Sequence, residues 1–322
     1  MSNSNPWEVY DLLLDQAETH GAIEEVIIGL TWTLCRAESI GLAMSPTQAT
    51  RTLDWPGTLR GRAVADVASW VREWNPWQAS VGMAAVNAII NSGSINNGSN
   101  IASRAMPLET KGPANLAVFE HFQTRLQGKR VVVVGRYPGL DNILPGVDVT
   151  VLEREAGAGD LPDPAAEYLL PEAEWVFLTS TSLTNKTFPR LAQLAANSNL
   201  VLMGPTTPWL AELADFGVDY LAGVQVTDAP QLRDTIAEGG GTRIFETGVQ
   251  YSIADLGQGE MHWIKSAIAD IVARREALKS EMETWYSRNI HKRYPRQTEL
   301  LILDNELSTL DSRFKRLWDV RH

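Results

Sequence analysis

The chain is poor in the side chains that usually hold soft metals. It has one cysteine, Cys35, in 322 residues, and its five histidines are scattered, with no pair four residues apart. A single cysteine excludes an internal disulfide and any Cys-x-x-Cys metal or redox motif. Histidines at i and i+4 would be needed for a helical zinc site. Cys35 lies in the apolar run TWTLCRA, so we expect a small buried side chain and no metal centre built from spaced ligands.

Long apolar runs and an excess of positive charge are also absent. No run approaches the ~20 residues that cross a bilayer, and MSNSNPWEVY has neither the basic region nor the apolar core of a signal peptide. We therefore expect a cytoplasmic protein with no membrane partner. The net charge of −11 argues against general binding to nucleic acid. Residues 260–322 carry a net charge of +2, so this segment presents a different surface from the rest.

The first third of the chain predicts a small α+β domain over residues 1–110. Asn5-Pro6 and Asn75-Pro76 each pair a capping residue with a proline at the first helical position. Between them, EEVIIGLTWTLCRAE and SIGLAMSP predict two strands joined by a turn at Glu38-Ser39. GRAVADVASWVREW and PWQASVGMAAVNAIIN predict helices. NSGSINNGSN, residues 91–100, has the composition of a polar loop, either a linker or a lid.

Residues 111–259 alternate between strand-like and helix-like segments. Five short runs rich in β-branched residues predict strands: KRVVVVG, VDVTVLE, EWVFLTS, NLVLMG and DYLAGVQV. The helical segments between them predict parallel strands with right-handed crossovers. RIFETGVQYSIAD is expected to add a further strand, antiparallel and at an edge. The predicted fold class is α/β, with a Rossmann-like, mostly parallel sheet after the small α+β domain.

The last segment, residues 260–322, predicts a helical hairpin extension. Two apolar stripes with steps of four and three residues are separated by Tyr294-Pro295, and Arg275 occupies one expected apolar position. The stripes are Ile264, Ile268, Ile271, Leu278, Met282 and Trp285, then Leu300, Leu303, Leu307, Leu310, Phe314 and Leu317. Their cover could be the chain's own domains, a second copy in a homodimer or higher homo-oligomer, or a partner protein.

A binding site is expected where the parallel strands end. Ligands bind at the carboxyl edge of open α/β sheets, and three such ends continue into GRYPG (135–139), TSTSLTNKT (179–187) and GPTTP (204–208). GRYPG departs from the dinucleotide fingerprint G-x-G-x-x-G, which disfavours a pyrophosphate. Glu153 closes the second strand near the place where an acidic residue takes a ribose hydroxyl. Arg243, in GGGTRIF, is suited to a carboxylate or phosphate.

These loops define a set of candidate ligand-binding residues that offers mostly neutral hydrogen-bonding groups. The set comprises Gly135, Arg136, Tyr137, Pro138, Gly139, Glu153, Thr181, Thr184, Asn185, Gly204, Pro205, Thr206 and Arg243. Some of these residues have an alternative structural role, such as helix capping by Thr184 or Asn185. No carboxylate pair or nucleophile–base pair stands out, so neither catalytic residues nor metal ligands are assigned, and enzymatic activity stays open.

Seven sequence blocks, in order between residues 5 and 255, resemble the family of unknown function described as "putative heavy-metal chelation". They are VIIGLTWTLC, SIGLAMSP, GMAAVNAIIN, GKRVVVVGRYPGL, LPEAEWVFLTSTSLTNKT, LMGPTTP and EGGGTRIF. The resemblance implies an enolase N-terminal-like domain before the Rossmann-like domain, an active site in the cleft between them, and a part in heavy-metal binding. It points to Gly135, Arg136, Tyr137, Pro138, Gly139, Asn185, Gly204, Pro205 and Thr206. The segment after residue 259 is not part of the family pattern.

The residues and the resemblance agree on the place of the site but leave its chemistry open. Heavy metals prefer thiolates and imidazoles, which this chain does not cluster. Oxygen ligands such as Glu153 and Asp141 could hold a harder ion, or the protein could bind a metal already held by a small chelator, which we prefer. We therefore predict binding or processing of a small anionic ligand, a metal chelate or a heavy metal in the cleft. The cofactor is otherwise unidentified.

Two other functions stay open at this point. One is a nucleotide- or S-adenosylmethionine-dependent enzyme with Glu153 on the ribose. The other is an assembly protein that binds a partner through the C-terminal helices.

Overall fold

Two β-sheets and two long C-terminal helices organise the described residues of the computed structural model, which are 5–16, 21–91, 101–289 and 292–321. The predicted linker or lid at 91–100 lies outside these ranges except for Asn91. The chain forms two compact units, residues 1–254 and residues 255–322.

The small sheet has three antiparallel strands in the order β1-β2-β3. They are β1 (Glu25–Ile28), β2 (Trp32–Arg36) and β3 (Ile40–Met44). The prediction of one strand over EEVIIGLTWTLCRAE was wrong, because the chain turns at residues 29–31 and splits the segment in two. The turn lies close to other backbone, since a Cβ on Gly29 would be 2.5 Å from the Ile236 carbonyl oxygen. The alternating apolar pattern runs through both strands and hides this turn.

Helix α3 (Pro76–Ile90) covers one face of the small sheet, as its Ala- and Gly-rich sequence predicts. Asn75 caps it, with its side-chain oxygen accepting from the Trp77 and Gln78 amides at 3.0 and 3.3 Å. Gly41 of β3 lies directly against this helix, because an added Cβ would be 2.1 Å from the backbone of Ala84 and Ala88. The sheet and helix therefore pack backbone to backbone.

The large sheet has seven strands in the order β4-β10-β9-β8-β7-β5-β6. The strands are β4 (Met106–Pro107), β5 (Arg130–Val134), β6 (Asp148–Leu152), β7 (Trp175–Thr179), β8 (Asn199–Met203), β9 (Tyr220–Val226) and β10 (Val249–Asp255). All five predicted runs form strands, and the pairs from β6 to β9 are parallel. Strand β10 is antiparallel to β4.

The expectation for RIFETGVQYSIAD was wrong in two respects. Its first part, Ile244–Thr247, is a helical turn, and the strand begins only at Val249. Strand β10 also lies between β9 and β4 and is not at the edge. The Thr227 amide donates to the Gly248 carbonyl at 3.0 Å, so the start of β10 meets the carboxyl end of β9. This contact brings the 244–250 segment to the carboxyl edge of the parallel strands.

Twelve α-helical segments connect these strands or follow them within the described ranges. They are α1 (Glu8–Asp15), α2 (Val64–Ala68), α3 (Pro76–Ile90), α4 (Ala117–Leu126), α5 (Leu140–Ile143), α6 (Ala166–Leu169), α7 (Thr181–Thr184), α8 (Phe188–Leu194), α9 (Ala229–Ala237), α10 (Ile244–Thr247), α11 (Gln258–Tyr286) and α12 (Gln297–Arg321). The segment PWLAELADFG, one of the stretches between the predicted strands, forms a 3-10 helix over Ala211–Phe216 that ends at the left-handed Gly217.

Both sheets share one apolar core in residues 1–254. Trp32, Leu34 and Leu42 of the small sheet belong to the same buried cluster as Phe177 and Met203 of the large one. On the α4 face the aromatic rings pack at centroid distances of 5.0 to 5.7 Å in the pairs Phe119–Phe177, Phe122–Trp175 and Phe122–Phe177. The shared core fixes the small sheet relative to the strand ends of the large one. The predicted domain boundary at residue 110 stays a prediction.

In the second unit, α11 and α12 pack against each other as a helical hairpin. The apolar stripes supply its buried seam: Ile264, Ile271, Leu278, Leu303 and Leu310. Arg275, the polar interruption of the first stripe, pairs across the seam with Asp304. The two stripes therefore cover each other, while a role in oligomerisation or partner binding stays a prediction. Within the described ranges, no helix has both the length and the apolar character that crossing a membrane requires.

Candidate functional site

The loops at the carboxyl ends of β7 and β8 both contact the last residue of β3, Met44. The Met44 amide donates to the Thr206 hydroxyl at 3.0 Å, in the loop after β8. The Thr181 hydroxyl, after β7, lies 3.4 Å from the Met44 sulfur. The small sheet thus lies directly over the loops that the sequence identified, and its edge becomes part of the candidate site.

Thr206 fastens the small sheet and is not open to a ligand. It is 1% exposed. Its hydroxyl is used by Met44, and its carbonyl accepts from the Asn87 side-chain amide at 2.9 Å, which also donates to the Leu42 carbonyl at 2.8 Å. Gly204 and Pro205 are likewise buried. Gly204 has φ +120° and packs on Ser180, where a Cβ would lie 3.0 Å from the hydroxyl oxygen. The GPTT loop therefore holds the small sheet in position over the candidate site.

The accessible polar groups form a connected row that we call the hydroxyl chain: Tyr137, Thr179, Thr181 and Met44. The Thr179 hydroxyl donates to the Thr181 hydroxyl at 3.2 Å, and Thr181 continues to the Met44 sulfur. The Tyr137 phenol lies close enough to the Thr179 hydroxyl for that hydroxyl to act on its pKa. All four residues are partly exposed. Thioether sulfur is a weak acceptor, so the Thr181 proton is available to a better acceptor on a ligand.

Tyr137 brings the GRYPG loop into this row. Its ring packs edge-on against Phe119 at a centroid distance of 5.2 Å. Burial of the phenol raises the pKa of Tyr137, with the Thr179 hydroxyl acting in the opposite direction. The phenol therefore stays protonated at neutral pH. Gly135, at φ +101°, makes room for this arrangement, because a Cβ there would lie 3.1 Å from the Thr179 side chain.

The other residues of GRYPG serve the loop itself. Arg136 is exposed and forms an ion pair with the buried carboxylate of Asp160. Gly139, at φ +87°, precedes the short α5. Pro138 is exposed and its carbonyl accepts from the Asn115 side chain at 3.4 Å. These contacts hold the GRYPG loop in its conformation.

Glu153 holds backbone at the end of β6. One carboxylate oxygen accepts from the Arg136 amide and the other from the Arg154 amide, both at 2.8 Å. A ribose at this position would have to share a carboxylate that already supports the GRYPG loop. Its predicted role in ribose binding stays a prediction. The side chain of Asp141, its suggested partner for a hard ion, lies outside the described residues.

Thr184 and Asn185 shape the turn after α7. The Thr184 hydroxyl donates to the Thr181 carbonyl at 2.8 Å. The Asn185 side-chain oxygen accepts from the amide and hydroxyl of Thr187 at 3.1 and 2.6 Å, at the start of α8. The Asn185 contacts correspond to the local structural role that the sequence left open as an alternative, at the start of α8. The Thr184 hydroxyl donates to a carbonyl and so does not supply the acceptor of a helix N-cap.

Lys186 ties the same turn to the first third of the chain. It has φ +65°, and its amine donates to the carbonyls of Thr184, at 2.9 Å, and Glu73. Burial lowers the pKa of Lys186 to about 8. With Tyr10, whose phenol donates to the Leu183 carbonyl at 2.8 Å, it forms a second attachment beside the Met44 contacts.

Arg243 is placed away from the hydroxyl chain by its contacts. Its side chain is 79% exposed and pairs loosely with Glu246 at 3.8 Å. The preceding glycines, in contrast, do reach the small sheet: the Trp32 indole donates to the Gly241 carbonyl at 2.9 Å. The glycine run of GGGTRIF therefore contributes close packing against the small sheet.

A directly bound soft metal does not fit the described residues. Within residues 5–16, 21–91, 101–289 and 292–321, no three or more His, Cys, Asp or Glu side chains come together as a metal site. Cys35 is fully buried, and burial raises the pKa of its thiol to about 12, so the thiolate that a metal needs is not formed. The Met44 sulfur is the soft donor in the hydroxyl chain.

Three contributors lie outside the segments predicted for the site: Asn87, Met44 and Tyr251. Thr179 opens the predicted segment TSTSLTNKT but was not among the candidate residues. Asn87 carried a usable signal, because a lone amide inside the apolar helix GMAAVNAIIN must find buried partners. Thr179 and Met44 end predicted strands, but which strand end meets which depends on tertiary packing. Tyr251 lies on β10, and its phenol is close enough to that of Tyr137 to raise the Tyr251 pKa further, beyond the effect of burial.

An antiparallel three-stranded sheet held across the carboxyl edge of a mostly parallel sheet defines the class of protein. Residues 10–90 and 117–255 match two family models, DUF4213 and DUF364, both described as "putative heavy-metal chelation". The chain belongs to this family. Residues 256–322 lie beyond both models.

Relatives of known structure share the fold. A DUF364 protein with unknown function from Desulfitobacterium hafniense is 30% identical, with a TM-score of 0.68, over 77% of this chain and 98% of that one. One from Pyrococcus horikoshii is 20% identical, with a TM-score of 0.63, over 78% and 99%. An uncharacterized protein of Methanocaldococcus jannaschii is 33% identical over 108 residues, which span 31% of this chain and 42% of that protein.

Proposed function

We propose that the protein binds a metal ion that is already held by a small anionic chelator, at the hydroxyl chain below β3. The observation that carries this proposal is the row Tyr137–Thr179–Thr181–Met44, which joins three neutral hydroxyls to one thioether at a partly exposed edge. The family description supports a metal-related ligand.

The chemistry of the row favours a chelate over a bare ion. Hydroxyl groups donate hydrogen bonds to carboxylates but bind soft metals poorly, and thioethers are soft ligands. A chelator would supply the charged atoms that hold the metal, while Thr179, Thr181 and the protonated Tyr137 phenol bind its oxygens. The Met44 sulfur would then contact the metal from one side. A bare ion would find one soft donor, which is too few for stable coordination.

The test compares Ni²⁺ alone, citrate alone and the Ni²⁺–citrate complex by isothermal titration calorimetry. We expect binding of the complex and little binding of either component. Thr181→Val removes the Thr181 hydroxyl and should lower the affinity of the protein for the Ni²⁺–citrate complex by about tenfold, the value of one hydrogen bond to a charged group. Met44→Leu replaces the thioether by an apolar side chain of similar volume, and it should also lower the affinity of the protein for the Ni²⁺–citrate complex.

Matched controls for these variants lie in the second unit. Thr309→Val removes an exposed helical hydroxyl that donates to the Asn305 carbonyl at 3.0 Å. Met282→Leu makes the same thioether change on α11. Both should leave the affinity unchanged. Equal binding of bare Ni²⁺ and of the complex, or full affinity in both Thr181→Val and Met44→Leu, would contradict the proposal.

A further inference from the structure

The C-terminal hairpin buries only one of the two apolar columns on each of its helices. The buried columns form the seam between the helices: Ile264, Ile271 and Leu278 on α11, and Leu303 and Leu310 on α12. Beside them each helix carries a second column, with the same spacing of seven residues, whose side chains are only partly buried. Its apolar members are Ile268 and Met282 on α11, and Leu300, Leu307 and Phe314 on α12. The seam therefore leaves apolar surface unused on both helices.

Two contacts show that both second columns lie on the same side of the hairpin. Arg275 occupies the middle position of the α11 column and pairs with Asp304 on α12. The Lys265 amine lies 5.2 Å from the ring centroid of Phe314. One helical turn further along the columns stand Val272, Tyr286 and Trp318, which are 41%, 38% and 45% exposed. These three side chains and the second columns together form what we call the apolar face.

The other side of the hairpin carries ion pairs that are internal to it. Arg296 pairs with Glu281 of α11 at 2.7 Å and with Glu299 of α12 at 2.9 Å. Exposed ion pairs of this kind keep their contact with water. Because apolar side chains dominate one side and ion pairs the other, the apolar face is the side suited to burial against another surface.

The size of the apolar face matches that of a stable interface. Helix α11 has 29 residues and α12 has 25, so the face is about 37 Å long. Two adjacent helices are together about 20 Å wide. The resulting area of about 750 Å² for one copy is close to the ~800 Å² per partner of a standard protein–protein interface.

The charges around the apolar face have opposite signs on its two halves. The cations lie on α11 and the nearest carboxylates on α12: Lys265, Arg275 and Lys279 against Asp304 and Asp311. Charges at the outer rims offset only part of this difference: Glu276 and Glu283 on α11, and Lys315 on α12. A two-fold rotation can place the α11 half of one copy opposite the α12 half of another, so that unlike charges meet. The apolar face is therefore complementary to itself.

We propose that the apolar face binds the same face of a second copy of this chain, in a four-helix bundle where α11 of each copy lies opposite α12 of the other. The alternative pairing, α11 opposite α11, would bring like charges together. The Arg275–Asp304 pair at the centre of the face is the polar position that fixes the register of such a bundle. Residues 256–322 lie beyond both family models, so this dimer goes beyond the proposed function and does not depend on it.

The first test measures the mass of the full-length protein, 35.5 kDa as a monomer, by sedimentation velocity. Interfaces of this area bind with micromolar or tighter affinity, so the wild-type protein at about 100 μM should sediment as a dimer. Val272→Glu places a carboxylate on the apolar face of both copies and should raise the dimer dissociation constant at least about tenfold. Ile302→Glu is the matched control, because Ile302 is a β-branched residue on the charged side, 52% exposed, and the dimer should be unchanged. Both variants should keep the helical content of the wild type, measured by circular dichroism.

A mixing experiment tests which helices meet. Lys265 lies level with Phe314, one turn from Asp311, so in the proposed bundle Lys265 of each copy faces Asp311 of the other. Lys265→Glu and Asp311→Lys should each weaken the homodimer about tenfold, because two unlike-charge contacts become like-charge contacts. An equimolar mixture of the two variants should dimerise as tightly as the wild type, because each copy then supplies the charge that the other lacks.

Three results would overturn the proposal. A monomeric wild-type protein at about 100 μM would leave the apolar face to another partner. A dimer that Val272→Glu leaves intact, or that Ile302→Glu dissociates equally, would mean that the apolar face is not the contact. Charge variants that weaken the dimer separately but do not restore it when mixed would exclude the pairing of α11 with α12.

Discussion

The Asn87 side chain joins α3, β3 and the loop after β8. Its amide donates to the carbonyls of Leu42, at 2.8 Å, and Thr206, at 2.9 Å, and the residue is 2% exposed. In Asn87→Ala both buried carbonyls lose their donor, and each orphaned group costs about 1–3 kcal/mol. Loss of the Asn87 side-chain oxygen, which has no hydrogen-bond partner in the described part of the chain, offsets part of this cost. We expect the free energy of unfolding to fall by about 3 kcal/mol.

The assay measures unfolding in urea through hydrogen exchange, detected by mass spectrometry on peptides from β3 and from residues 204–208. These peptides belong to the first unit and therefore report on its unfolding alone. Asn91→Ala is the matched control, one turn further along the helix. Its amide makes a single bond, to the Ile40 carbonyl at 2.9 Å, and the residue is partly exposed. Water can replace that bond, so the cost should stay below about 1 kcal/mol. Equal costs for the two variants would refute the assigned role of Asn87.

Three further predictions follow from individual contacts. Gly41→Ala should prevent stable folding, because its Cβ would lie 2.1 Å from the backbone of α3. Gly57→Ala is the control: Gly57 has φ +75° and nothing within 4 Å of an added Cβ, so the substitution should lower the free energy of unfolding, measured by thermal unfolding, by only about 1 kcal/mol. Burial lowers the pKa of Lys186 from 10.5 to about 8, so between these two pH values the amine is mostly deprotonated in the folded state while the unfolded chain keeps its proton. Wild type should therefore gain stability relative to Lys186→Met as pH rises from 8 to 10.5, and a constant difference would count against the burial. Cys35, fully buried with its pKa raised to about 12, should react with Ellman's reagent only after denaturation; rapid labelling of the native protein would show that the thiol is accessible.

The five strands β5 to β9 followed from sequence because local pattern alone determines them. Runs such as VVVV and VFL have no polar face, and the glycine- and threonine-rich segments after them mark where each strand stops. Helices α4 and α9 went unassigned because their sequences, AVFEHFQTRL and APQLRDTIA, mix polar and apolar residues without a clear cap signal upstream of α4. The turn between β1 and β2 depends on contact with Ile236, more than 200 residues away, which no local pattern shows.

The candidate site was only partly predictable for the same reason. Tyr137, Thr181 and Thr206 do meet at the edge that the strand ends define. Which of them stays accessible, as Tyr137 and Thr181 do, and which is buried in a structural contact, as Thr206 is, depends on where β3 lies. Met44 takes up the Thr206 hydroxyl and leaves Thr181 with a weak acceptor, and only the fold reveals this difference. Glu153 and Arg243 have residue types suited to ligands, but their neighbours Arg136 and Glu246 already engage them.

The position of the metal is the most direct test of the proposed site. Crystals grown with Ni²⁺–citrate, measured at the nickel absorption edge, would locate the ion by its anomalous scattering. The proposal predicts a peak beside the Met44 sulfur, with citrate oxygens within hydrogen-bond distance of the Thr179 and Thr181 hydroxyls. A peak on histidine or carboxylate side chains elsewhere, with the hydroxyl chain unchanged, would contradict it.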